Sequence, residues 1–212
     1  MIVTPSDCFL QFSIRRNLEY FDSEDAVMEA EGKIYYAKDD GTSELIGVVE
    51  GVVFGASAGW SRWDMYDAIG HTFEYYEGYV APYIESDEHD GAMKLEGVDK
   101  WIEVPMNPNV CAVTFMGIAP NWRGSGLGLS VIKEFLLTFG ADKCGAAILK
   151  PCPQTFDFDR LKKGDYPSFS DLFKTENGGD TKRLAAYYSK LGFRKIVGTE
   201  LMFLNLEYRR DW

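Results

Sequence analysis

Between Pro108 and Pro120 the chain reads NVCAVTFMGIA, a run with no charged side chain and several β-branched or aromatic ones. Such a run suits a strand covered on both faces, in the interior of a sheet. At roughly half the length of a membrane span, and interrupted by Thr114 and Gly117, it does not suit a membrane helix. The next segment constrains the chain further. NWRGSGLG, Asn121 to Gly128, sets three glycines on alternate positions behind Arg123. Leu127, Val131 and Phe135, with Ile132, Leu136 and Phe139, then recur at helical spacing up to Gly140, which predicts a helix beginning at about Gly126. A buried strand that turns through glycines into a helix aims the first free N–H groups of that helix at one point, where an anion is favoured.

The flanking sequence predicts more sheet. CFLQFSI is a strand candidate, and KIYYAKDDGTSELIGVVEGVVFGAS holds two β-rich runs around Asp39-Asp40-Gly41-Thr42, a hairpin signal. From Ser61 to about Glu85 the pattern predicts one or two helices, broken near Gly70 and Pro82, followed by the acidic loop SDEHDG. GAAILK predicts a second buried strand, and a long polar and aromatic connection runs from Pro151 to Gly179. A further helix is expected after Asp180, ending at Gly192, and FRKIV and LMFLNLEY close the chain as strands around Gly198. Strand, helix, strand, helix, strand from Val110 onward indicates an α/β sheet with at least one crossover, in a single domain spanning 1–212.

Composition narrows the partners. The net charge of -11 opposes nucleic acid and anionic membranes and favours a cationic acceptor. Cys8, Cys111, Cys144 and Cys152 show no CxxC spacing and read as free thiols in a reducing compartment. With only His71 and His89 available, no metal site is expected. A cytoplasmic protein without a signal peptide is the expectation.

Three phosphate-binding loops compete for the glycine segment. The lysine of a P-loop is missing, and Gly124, Gly126 and Gly128 give G-x-G-x-G where a dinucleotide fingerprint needs G-x-G-x-x-G. A strand-to-helix turn holding no ligand also stays open. Arg123, Gly126 and Gly128 match R-x-x-G-x-G/A, which resembles the signature of the GNAT superfamily of acyl-CoA-dependent N-acyltransferases. LAAYYSKLGFRKI, Leu184 to Ile196, resembles the second family segment, a tyrosine-bearing helix running into a Gly-Phe turn, here Gly192-Phe193.

The resemblance covers Val110 to Ile196 in order. It implies a GNAT-like α/β (mixed-sheet) fold with a helical insertion before the central strand. Residues 1–109 would supply N-terminal strands and acceptor-side helices, and 110–212 the acyl-CoA-binding core. It implies acetyl-CoA as co-substrate and no metal. The backbone of Arg123, Gly124, Ser125, Gly126, Leu127 and Gly128 would cradle the pyrophosphate, and Met116, Gly117 and Ile118 the pantetheine arm. Gly117 is a candidate for a bulge that splays two strands, or equally a residue kept small for packing. Tyr188 matches the family's proton donor, and Tyr187 is its neighbour about 100° around the helix.

The general base does not carry over. Asn109, Val110 and Cys111 stand where the family often has a glutamate, which leaves His71, Glu103 or a water relay. The aromatic and acidic stretch containing Trp60, Trp63, Asp64, Asp67, Glu74 and Tyr76 is the candidate acceptor pocket. The expected reaction is acetyl transfer to a primary amine of a small molecule or protein. Alternatives are a noncatalytic acyl-CoA-binding module, or an enzyme acting on aminoacyl-tRNA or a protein N-terminus. A homo-oligomer is open.

Overall fold

A computed structural model of the protein describes residues 7–16, 27–55, 92–99, 102–103, 105–107, 109–166, 169–175 and 180–207. In chain order the strands are β1 (Cys8–Arg16), β2 (Val27–Ala37), β3 (Ser43–Phe54), β4 (Ala92–Met93), β5 (Ile102–Glu103) and β6 (Val110–Ile118). After them come β7 (Ala146–Leu149), β8 (Gln154–Phe156), β9 (Phe173–Thr175), β10 (Arg194–Lys195) and β11 (Met202–Asn205). Helix α1 (Leu127–Phe139) joins β6 to β7, α2 (Phe158–Lys163) lies between β8 and β9, and α3 (Thr181–Tyr188) precedes β10. The expected insertion of helices before the central strand falls on residues outside those described, as do His71 and the aromatic-acidic stretch.

Among the described residues seven strands form one mixed sheet in the order β1-β2-β3-β6-β7-β11-β10. Its neighbours are antiparallel except β6 and β7, which are parallel, as the crossover through α1 requires. Strands β2 and β3 meet at the expected turn. There Lys38 N–H donates to Thr42 O and the Asp40 carboxylate accepts from Thr42 N–H (2.9 Å) and Oγ1 (2.6 Å). The two Thr42 bonds, side chain first, hold the Asp40 carboxyl below its ordinary range.

The apolar stripe on α1 matches its sequence spacing, with Leu127, Val131, Ile132, Phe135, Leu136 and Phe139 all buried. It packs on one face of the sheet against Ile34, Val49, Val53, Cys111 and Val113. Phe12 of β1 reaches beneath it, edge-on to Phe139 with ring centroids 4.9 Å apart. At Gly51 a Cβ would lie 2.6 Å from the Phe135 ring, so the helix can approach β3 closely there.

The opposite face is covered by the connection after β7. Its length and aromatic content set it apart from a plain connector. Between Gln154 and Thr175 it builds the β8–β9 ribbon and α2, with Asp157 capping α2 through Arg160 N–H and Gly164 ending it at φ 68°. Leu161, Leu172 and Phe173 are buried there together with Val48 of β3. Phe173 stacks between Phe115 of β6 and Phe156 of β8, with centroids 5.0 and 4.9 Å apart.

Phe156 also lies flat over Gly117, where an added Cβ would sit 2.5 Å from the ring. Gly117 is therefore a packing glycine, and the strand irregularity lies elsewhere. Gly117→Ala is expected to push Phe156 out of its stack and to cost about 1–3 kcal/mol in stability. A urea melt of the purified variant measures this, and an unchanged midpoint would mean that the ribbon moves aside freely.

Helix α3 starts where the sequence predicts, with the Asp180 carboxylate accepting from Arg183 N–H at 2.9 Å. It tightens to a 3-10 turn over Ser189–Leu191 and stops at Gly192, φ 93°. The final strands are shorter than expected, and β11 inserts between β7 and β10. Residues 94–96 run along the outer side of β10, joined by the Leu95–Ile196 bridge and by Glu96 N–H donating to Lys195 O. Among the described residues no helix is long and apolar enough to cross a membrane.

Candidate active site

The site grows from a mismatch in strand length. β6 pairs with β7 only from Val110–Ala146 to Val113–Leu149, after which β7 stops ahead of Pro151. β6 continues to Ile118, with no strand beside it on that side among the described residues. On its other side β6 stays paired with β3, but the register slips: Val113 faces Gly51 and Phe115 faces Glu50, which makes Thr114 an extra residue. This bulge stands at the apex of the opening and turns the strand there. Of the two readings open for Gly117, the structure supports packing, and the bulge lies three positions earlier.

The peptide groups along the opening follow from the ladder. Ala119 N–H donates to Ile46 O at 2.8 Å, so the alternation of an antiparallel pair turns Gly117 toward β3 and Met116 and Ile118 toward the opening. Ile118 O accepts a 2.8 Å bond from Arg123 Nε. Met116, both N–H and C=O, and the N–H of Ile118 are thus turned toward an edge with no strand partner among the described residues, while Gly117 contributes through its lack of a side chain.

At the end of that edge lies the glycine loop. Pro120–Trp122 form a 3-10 turn, Arg123 is extended, and Gly124 and Gly126 take φ values of 87° and 85°. Those left-handed angles suit glycine, and a Cβ at either position would point into open space. Gly126 caps α1 without any side-chain bond. Among the described residues no acceptor meets the backbone N–H groups of Gly124, Ser125, Gly126, Leu127 and Gly128; the bonded amides flanking them are Arg123 N–H, to Pro120 O, and Leu129 N–H. A run of donors converging on a helix N-terminus is a concave seat for an anion. Arg123 is exposed, and its Nε bond to Ile118 ties the loop to the strand edge while the rest of its guanidinium stays at the surface.

The two tyrosines of α3 take different places. The Tyr187 hydroxyl accepts from Leu129 N–H at 3.1 Å and lies over Gly128, where an added Cβ would meet it at 2.8 Å. Burial raises its phenol pKa, against a lowering by the Leu129 bond. Tyr188 packs into the main core cluster. Burial first, then the neighbouring Tyr187 and Cys152, push its phenol up to about 12. Tyr187→Phe is expected to lower stability by about 0.5–1 kcal/mol, the value of one hydrogen bond, since Leu129 N–H keeps a second acceptor in Gly126 O at 3.0 Å. A thermal melt checks this.

The structure therefore brings Met116, Gly117, Ile118, Arg123 and the 124–128 loop together with Tyr187 and Tyr188. Glu103 is not gathered with them by strand pairing: it sits on β5, paired with Ala92 in a separate two-stranded ribbon. His71 lies outside the described residues. One acidic residue went unnoticed in the sequence. Glu50 of β3 is only 7% exposed, and Thr114 Oγ1 donates to its Oε1 across a long 3.4 Å contact. Its signal was a single charge inside the apolar run IGVVEGVVF. The thiols Cys111 and Cys144 are buried in the core, and burial drives Cys144 up to about 12 and Cys111 well above its ordinary value.

No family model matches the chain, and no curated protein matches it. Among solved structures, the crystal structure of a tyrosine-to-phenylalanine mutant of KacT aligns with a TM-score of 0.39 and 10% sequence identity. The alignment covers 84% of this chain and 71% of that one.

Proposed function

We propose that the protein is a GNAT-type N-acetyltransferase that moves an acetyl group from acetyl-CoA to a primary amine. The observation that carries this reading is the continuity of two surfaces that no described residue satisfies: the edge of β6 at Met116 and Ile118, and the amides from Gly124 to Gly128 at the start of α1. A ligand serving both needs an anionic group at one end and an amide-bearing, extended arm at the other. Coenzyme A has that form, with a pyrophosphate for the loop and pantetheine amides able to pair with Met116 and Ile118 as an added strand would.

In this reading the thioester lies near the bulge at Thr114, where β6 and β7 part. The amine nitrogen forms a bond to the acetyl carbon, the carbon–sulfur bond breaks, and the Tyr188 hydroxyl gives its proton to the departing sulfur. An unshifted thiol, with a pKa near 8.5, would take a proton from a phenol near 12 at a cost of about 5 kcal/mol. The amide product is more stable than the thioester, and that driving force draws the transfer forward.

The test is to incubate the protein with acetyl-CoA and a panel of primary amines and to follow free thiol. Amine-dependent thiol release supports the reading. Tight acetyl-CoA binding with no release under any amine would make the chain a binding module, and no binding at all would contradict the reading outright.

A further inference from the structure

We propose that the groove between β1 and α1 is a ligand site for a small amphiphile with an apolar body and one cationic head, an alkylammonium or arylalkylammonium compound. The site is separate from the opening beside β6 and does not depend on the acetyl-transfer reading.

The groove follows from where small side chains fall. Cys8, Leu10 and Phe12 alternate toward α1 along β1, and all three are only half-buried although they border the main core cluster. Phe12 drops against the sheet over its partner Gly32, where an added Cβ would lie 2.8 Å from the ring, and it meets Phe135 and Phe139 toward the end of the helix. Nearer the start of α1 the groove is bordered by Cys8 and Ser130, whose short side chains leave room that a larger pair would fill. A cavity of about 510 Å³ results, walled by Leu10, Ile34, Leu127 and Val131. Sites for small molecules have that size and that mixture of apolar walls with a few polar groups. A ligand that covers the half-buried Leu10 and Phe12 removes apolar surface from water, which favours binding.

The polar groups set the charge of the ligand. Glu134 stands seven residues after Leu127, two turns along and within about 20° around α1, so it closes the stripe that Leu127 opens. It is exposed, and neither its carboxylate nor the Ser130 hydroxyl has a hydrogen-bond or ion-pair partner among the described residues. None of the described residues lining the cavity is basic. Burial first, then the charge of Asp7, raise the Cys8 thiol above its ordinary pKa, so it lines the groove as a neutral group in a negative field. Ser130 and Glu134 are neighbours on the helix surface, four residues apart, and one ammonium can donate to both. An anionic head would meet that carboxylate and a chain of net charge -11. Three strand spacings, about 14 Å, separate β1 from β6, so an occupant of the groove leaves the open edge of β6 untouched.

The experiment titrates the methyl-labelled protein with 4-phenylbutylammonium and, separately, with its neutral analogue 4-phenylbutan-1-ol, followed by NMR. The ammonium compound is expected to shift the methyls of Leu10, Ile34, Leu127 and Val131 saturably and to bind at least about fivefold more tightly than the alcohol. Glu134→Gln, at an exposed helical position, should bring the two to within about 1.5-fold with the alcohol's own affinity unchanged. Glu134→Lys should make the alcohol the tighter ligand, and Ser130→Trp, which fills the groove, should abolish saturable binding of both. No saturable shift at millimolar ammonium compound, shifts confined to other methyls, equal binding of the two compounds by wild type, or a preference that survives Glu134→Gln would overturn the site. None of these readouts involves acetyl-CoA, so the site stands or falls separately from acetyl transfer.

Discussion

Gly126→Asp is expected to raise the dissociation constant for acetyl-CoA at least about 100-fold while moving the thermal midpoint by no more than a few degrees. Gly126 sits at φ 85°, with open space where a Cβ would be. Aspartate is among the few side-chain-bearing residues that tolerate left-handed backbone, at a cost of about 1 kcal/mol. A carboxylate at the start of α1 recovers a few tenths to 1 kcal/mol from the helix dipole. The fold is therefore nearly indifferent to the change. A ligand phosphate is not: a fixed negative charge a few ångströms away, at an effective dielectric near 20, opposes it by several kcal/mol. Gly126→Ala, which adds bulk without charge, should fall between. Calorimetric titration and a melt on the same three proteins measure both effects. If Gly126→Asp binds as wild type does, the loop is only a turn.

Tyr188→Phe is expected to lower kcat by about 100-fold or more with acetyl-CoA affinity within about twofold of wild type, the usual loss when a positioned general acid is removed. Tyr187→Phe should leave kcat nearly unchanged, because the Tyr187 hydroxyl is engaged at Leu129 N–H. A second readout follows from the same phenol. Its pKa in the fold is near 12, against about 10 when unfolded, so its neutral form is favoured by folding. The corresponding stability is fully present below pH 10 and is lost as pH rises toward 12. Wild type should accordingly lose about 2–3 kcal/mol more than Tyr188→Phe over that interval. The catalytic profile should show no downturn from Tyr188 below about pH 11. Rapid-mix assays and denaturant melts across pH 8 to 12 separate the two, and equal turnover in wild type and Tyr188→Phe would remove Tyr188 as the proton donor.

Local patterns carried much of this architecture, and nonlocal ones did not. The α1 stripe, the Asp-Gly turn between β2 and β3, and the caps at Asp180 and Gly192 were legible because each depends on residues a few positions apart. The insertion of β11 beside β7 depends on contacts between Met202–Asn205 and Ala146–Leu149, which no spacing encodes. The bulge at Thr114 is equally nonlocal. It exists only as a slip between β3 and β6, so Gly117, the glycine in the run, drew attention that belonged three residues earlier.

Glu50 escaped for the same reason. In sequence it is one charge in an apolar strand, and only the pairing with Phe115 places it beside the Thr114 bulge. The connection after β7 read as loop because its aromatic residues lack a period. Its structure comes from Phe115, Phe156 and Phe173 stacking on the sheet, which is tertiary packing overriding local signal.

The most direct measurement is an amide-resolved NMR titration of the isotope-labelled protein with acetyl-CoA. The account predicts that the largest shifts fall on the Gly124 to Gly128 amides, as they gain phosphate acceptors, and on Met116 and Ile118 along the open edge of β6. Saturable binding with those amides unmoved, or no binding at millimolar ligand, would contradict it.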